Sequence, residues 1–159
     1  MNTVTSMHLR LLESGKTLCT AESCTGGRIA ALITSVPGSS EYFRGGIVSY
    51  QTEIKEMVLK VPTDIIDTYG VVSRETADAM RECACRLLKA DYAITVTGYA
   101  GPTGGTDIDP VGTVYISVGT AAKGVTKRVV SSFAERTEIQ DDVAQQALSL
   151  FMNYLEVEL

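Results

Sequence analysis

One histidine, His8, is all that a chain of 159 residues carries. Its place inside the first predicted helix removes nearly every Ser-His and Cys-His arrangement, so a general base here is a lysine or a carboxylate. Cations are in the minority: 14 Lys and Arg against 19 Asp and Glu leave a net charge of −5, and they are scattered. Nucleic acid and anionic membrane surfaces need clustered positive charge that displaces counterions, so neither is expected as a partner. No apolar stretch approaches the ~18 residues of a membrane span, and no charged segment leading into an apolar core opens the chain. The expected compartment is the cytoplasm, with reduced thiols. Cys19, Cys24, Cys83 and Cys85 lack metal-ligand spacing, and neither G-x-x-x-x-G-K-S/T nor a strand followed by G-x-G-x-x-G occurs. Zinc, nucleoside triphosphate and dinucleotide sites are therefore not indicated. With no repeat, linker or low-complexity segment, residues 1–159 read as one domain, large enough to bury roughly 70% of its unfolded surface without a staple.

What is present is an alternation of helical and strand patterns. Thr5 to Ser14 carries Met7, Leu11 and Leu12 at helical spacing and stops at Gly15. Thr17 to Ala21 is a short buried strand, and Gly26-Gly27 open a helix with Ile29, Ala30, Leu32 and Ile33. After the V-P-G-S-S break, Arg44 to Tyr50 reads as a second strand, Thr52 to Leu59 as helical, and Pro62 as the first turn of a short helix ending near Gly70. Ser73 is the expected N-cap of a long helix bearing Ala77, Met80, Ala84, Leu87 and Leu88. Asp91 to Thr97 is a strand that runs into the longest loop. Val111–Thr120 and Val125–Phe133 form a predicted hairpin about A-A-K-G, and Arg136 to Leu155 a closing helix with Ile139, Val143, Ala147, Leu150 and Tyr154 inward. The pattern predicts a three-layer α/β/α sandwich on a mixed, mostly parallel sheet of about five strands, with a C-terminal hairpin and closing helix.

In such sheets ligands collect beyond the carboxyl ends of strands, where T-A-E-S-C-T-G-G, V-S-Y-Q and T-G-Y-A-G all fall. Ser23, between strand and glycine-opened helix, reads either as a nucleophile or as a helix N-cap. The helix N-terminus beside it is expected to hold an oxyanion or a phosphate. Lys55, a turn after Tyr50, is the candidate base if burial lowers its pKa, against the commoner reading of a solvated lysine. Tyr50 is placed to pass a proton to a leaving amine or to hold Lys55. Cys24 ranks behind Ser23 as a nucleophile, because it has no histidine partner. Asp107 and Asp109 read as a solvated turn rather than a metal pair, and Arg136 either as an anion contact or as a surface ion pair.

Six ordered motifs, E-S-C-T-G-G, V-P-G-S-S, G-G-I-V-S-Y-Q-T-E-I-K, G-V-V-S-R-E-T-A-D-A-M, T-V-T-G-Y-A-G-P-T-G-G and P-V-G-T-V-Y-I-S-V, span nearly the whole chain. Together they resemble the CinA carboxy-terminal domain family of nicotinamide-nucleotide amidases. The resemblance implies metal-free hydrolysis of nicotinamide mononucleotide to nicotinate mononucleotide and ammonia by a Ser-Lys type mechanism, with no cofactor and no metal. It places catalysis on Ser23, Tyr50 and Lys55, and substrate contacts on Glu22, Cys24, Thr25, Gly26, Gly27, Thr97, Gly98 and Arg136. The competing possibility is a catalytically silent nucleotide-binding or regulatory module of the same fold. Gln140 stands where the family tends to carry a second arginine a turn after the first. Nothing like the larger amino-terminal domain of some members precedes Met1, so a stand-alone form, assembled as a homo-oligomer, is expected.

Overall fold

The computed structural model describes residues 1–158. Helix α1 (Thr3–Ser14) starts two residues before the pattern predicts because Asn2 caps it, its side-chain oxygen accepting the Thr5 N–H at 2.9 Å. It ends at Gly15 in the left-handed region, φ 66°. Strand β1 (Leu18–Glu22) is buried throughout and leads through a turn into α2 (Arg28–Thr34). A short 3-10 turn, Ser39–Glu41, precedes β2 (Phe43–Val48), and α3 (Thr52–Met57) and α4 (Thr63–Tyr69) follow. Pro62 caps α4 from outside rather than lying in its first turn. Ser73 caps α5 (Arg74–Leu88), accepting the Thr76 N–H at 3.1 Å. Then come β3 (Tyr92–Gly98), β4 (Thr113–Gly119), β5 (Gly124–Val130) and α6 (Arg136–Glu158). The hairpin begins later than Val111 because Gly112 turns back instead, its N–H reaching Tyr99 O at 2.7 Å.

The strand order is β2-β1-β3-β4-β5. β1 runs parallel to β2 and β3, and β4 is antiparallel to β3 and β5, so only β4 opposes the rest. Alternation along each strand divides the core in two. Leu18, Ile94 and Ile116 face α1, α2 and α6, packing with Met7, Ile33 and Phe151. Cys19, Ala21 and Ala93 face the other way, onto Met80, Ala84 and Cys85 of α5 and onto Leu59 and Ile66. This is the three-layer sandwich that the alternation predicts. Three expected core positions lie nearer the surface: Leu87 is exposed, and Leu88 and Leu150 are only half-buried. No helix is long and apolar enough to cross a membrane.

Candidate active site

The carboxyl ends of β1, β2 and β3 open on one rim, where a cleft of about 300 Å³ is lined by Ser23, Cys24, Tyr50, Thr52, Lys55, Val71, Val72, Arg136 and the loop Thr97–Gly101 with Thr103. Ser23 follows the last residue of β1 and is not an N-cap. That position belongs to Gly27, whose φ of 96° suits glycine, and α2 begins only at Arg28. The Ser23 hydroxyl instead meets Lys55 Nζ at 2.9 Å.

Lys55 belongs to the last turn of α3, with its side chain directed inward beneath the β2 exit. It is 1% exposed. Beyond Ser23, its ammonium donates to Ser49 O at 2.5 Å and to Tyr50 O at 3.3 Å. All three partners are neutral oxygens, and no carboxylate lines the cleft among the described residues. Burial without a counter-ion lowers the Lys55 pKa to about 8. The two carbonyls fix two of its N–H directions. On losing a proton, the amine therefore turns its lone pair toward Ser23 Oγ. Burial acts oppositely on Cys24, pushing its thiol up to about 12. A thiolate nucleophile there is disfavoured at neutral pH.

The turn after Ser23 departs from the sequence expectation of an open helix N-terminus. Glu22, expected at the substrate, is 1% exposed and points along the chain. Its carboxylate accepts Thr25 Oγ1 at 2.6 Å, the Ile29 N–H at 2.9 Å and the Ala30 N–H at 3.0 Å. The positive end of α2 is thus filled by the protein's own anion. Gly26 donates its N–H to Ser23 O, and neither Thr25, Gly26 nor Gly27 lines the cleft. The amides of Ser23, Cys24 and Thr25 donate to no other residue among those described, the Cys24 N–H lying against its own thiol.

At the mouth, Arg136 opens α6 and donates to Gly101 O and to Tyr50 Oη, both at 2.5 Å. Tyr50 is 55% exposed. Its carbonyl, not its phenol, reaches Lys55. Gln140, one turn after Arg136, is buried and donates from Nε2 to Cys24 O at 2.8 Å. Thr97 and Gly98 end β3 at the cleft floor, and Gly98 has no room for a side chain, since a Cβ would lie 2.5 Å from Thr113 O. Asp109 is held by Tyr115 and Arg128, a structural knot away from the cleft. Sequence reasoning missed Thr52, Val71 and Val72, whose contribution is shape, and the Ser49 carbonyl, because a backbone acceptor has no residue-type signal.

A buried Ser-Lys pair at the carboxyl rim of a five-stranded α/β sandwich defines a class. The chain belongs to the CinA C-terminal domain family, which it matches over residues 2–155. It is 45% identical over 146 residues to a CinA-like protein from Endomicrobium trichonymphae, covering 91% of this chain and 34% of that protein. The chain spans about a third of the length of the curated relatives it matches. Among solved structures, competence damage-inducible protein A from Klebsiella pneumoniae superposes with a TM-score of 0.92 at 31% identity, covering 98% of both chains. A competence/damage inducible protein from Agrobacterium tumefaciens does so at 0.91 and 34% identity, covering 97% of this chain and 93% of that one.

Proposed function

We propose that this protein is an amidohydrolase that cleaves the carboxamide of nicotinamide mononucleotide, releasing ammonia and nicotinate mononucleotide, with Ser23 as nucleophile and Lys55 as its base. The observation that carries this reading is the 2.9 Å contact between Ser23 Oγ and a lysine nitrogen that burial holds near a pKa of 8. An unassisted hydroxyl attacks poorly near neutral pH, and an amine of this pKa is a competent proton acceptor. Lys55 takes the Ser23 proton and Oγ bonds to the carboxamide carbon. The Cys24 N–H, next to the nucleophile on a residue that lines the cleft, receives the developing oxyanion. The proton then passes from Lys55 to the departing nitrogen, the C–N bond breaks, and water, deprotonated by Lys55, hydrolyses the ester on Ser23. With two cations and no carboxylate lining it, the cleft suits a substrate that carries an anionic group. Arg136 lies at the mouth with donors beyond the two in use, where a phosphate can reach it.

Ammonia release measured across nicotinamide mononucleotide, nicotinamide riboside, nicotinamide and glutamine tests the assignment. Turnover is expected with the mononucleotide and to depend on Ser23. Saturable binding of the mononucleotide with no ammonia from any of the four amides would instead make the domain a silent nucleotide-binding module.

A further inference from the structure

Two kinds of side chain meet in the cleft. Ser23, Lys55 and Arg136 carry its polar chemistry. Val72 and Tyr99 are half-buried and pack into neither half of the core, so the surface they leave uncovered opens on the cleft. Apolar surface kept beside a nucleophile is surface for an apolar part of a ligand.

The fold holds Tyr99 firmly in that place. It follows the last residue of β3, its N–H donating to Thr113 O at 2.9 Å and its carbonyl accepting the Gly112 N–H at 2.7 Å. The ring lies against Gly104, where a Cβ would stand 3.3 Å from Tyr99 Cδ1 and where the φ of 89° suits glycine. Both peptide groups and one edge of the ring are therefore set before a ligand arrives. A preordered aromatic loses little freedom on binding.

Charge then narrows what the ring can receive. The pyridine ring of nicotinamide mononucleotide is a permanent cation, because its nitrogen is bonded to ribose, and it lies one bond from the carboxamide carbon. When Ser23 reaches that carbon, the cationic ring is inside the cleft. No carboxylate among the described residues lines the cleft to pair with it, and Lys55 and Arg136 are themselves cations. What remains is the negative face of an aromatic ring. Among the described residues two rings line the cleft, and Tyr50 stands at the mouth, 55% exposed, with its phenol on the Arg136 guanidinium. We propose that Tyr99 is a specificity-determining residue whose ring is the seat for a positively charged aromatic ring, the pyridinium of the substrate. This rests on the mononucleotide reading of the site.

The test compares nicotinamide mononucleotide with its 1,4-dihydro form, which keeps the carboxamide, ribose and phosphate but has a neutral, non-aromatic ring. Binding is measured by calorimetry on the whole chain carrying Ser23→Ala, so that the amide stays intact, alone and combined with Tyr99→Phe or Tyr99→Leu. With Tyr99 in place the pyridinium form should bind ~5- to 30-fold more tightly than the dihydro form. Tyr99→Phe should keep that preference. Tyr99→Leu, which keeps apolar bulk without a π face, should erase it by weakening the pyridinium form alone, the dihydro form changing less than ~2-fold. In the chain with Ser23 intact, Tyr99→Leu should raise KM for the mononucleotide by the same factor with kcat within ~2-fold, because the contact is equal in ground and transition states. Equal or tighter binding of the dihydro form when Tyr99 is present would overturn the proposal without any variant at position 99. Equal weakening of both forms by Tyr99→Leu would also overturn it, leaving the ring a packing element. Ammonia release without the preference would sink this proposal and keep the amidase reading. The preference without ammonia release would do the reverse, and failure to bind either form would remove both.

Discussion

Lys55 and Arg81 are both buried cations, and they differ in what faces them. Arg81, on α5, donates from Nη1 to Asp78 Oδ1 and to Ser117 Oγ, both at 2.8 Å, and from Nε to Thr120 O at 2.9 Å. Ser117 and Thr126 hydroxyls donate to the same Asp78 oxygen. Charge is matched, and the cluster ties α5 to the β4–β5 hairpin. Lys55 has three neutral oxygens and no anion. A buried ammonium in that setting is a standing destabilisation, the kind retained where a reaction needs a proton acceptor. The same two properties, burial and positive charge, make a staple in one place and, on the proposed function, a base in the other.

The comparison is broken most directly at Lys55 and Ser23. Ser23→Ala and Lys55→Met should each fold and lose at least ~100-fold in turnover. The stability of Lys55→Met is the sharper measurement. Folding moves the Lys55 pKa from 10.5 down to about 8. Between those values the unfolded chain holds a proton that the folded one has lost, so wild-type stability gains a contribution that rises with pH across the window. Below about pH 8 the lysine is charged in both states and its penalty is present in full, on the order of 3 kcal/mol. Lys55→Met removes the charge. Urea unfolding at pH 7 should find the variant at least as stable as wild type, and the wild-type advantage gained toward pH 10 should be missing from it. A clear loss of stability at pH 7 would make Lys55 a packing element. Activity carries the same signature: kcat/KM should rise with pH to a plateau above a midpoint near 8, and Lys55→Arg, which cannot deprotonate, should be inactive across the range.

Arg81 should give the reverse result. Arg81→Met leaves Asp78 without its cation and Thr120 O without a donor, and should cost about 2 kcal/mol in the same unfolding experiment. Turnover should stay within ~2-fold, because the cluster lies at the opposite end of the strands from Ser23. If Arg81→Met abolished activity while keeping the fold, the separation into staple and base would fail.

Much of this arrangement was readable in the chain before folding. The alternation of periods three-to-four and two placed every helix and strand, and the three segments of the cleft all followed strand ends. What residue types could not convey was direction. Glu22 is a substrate contact only by the family resemblance, and it ends β1 on the α2 side, where the helix amides take its carboxylate. Ser23 reads equally as N-cap or nucleophile. The choice depends on α2 starting at Arg28, which a Gly-Gly pair permits but does not dictate. Lys55 resembles any helix lysine until the β2 exit places two carbonyls around it. Gln140 lies 116 residues from the atom it holds, a distance that no local pattern spans.

Tyr50 gives the smallest expected effect and separates two ways of serving the base. Its carbonyl is part of the neutral cage around Lys55, and its phenol lies at the cleft mouth on Arg136. Tyr50→Phe keeps the carbonyl and removes only the phenol oxygen. If that oxygen orients Arg136 for an anionic part of the substrate, KM should rise ~3-fold with kcat nearly unchanged, the pattern of lost uniform binding. The exposure of the ring favours this outcome, since a water can replace the lost hydrogen bond in part. A fall in kcat of ~10-fold or more at constant KM would instead make the phenol a proton donor to the leaving nitrogen. The acid would then come from the cleft mouth and the base from its buried floor.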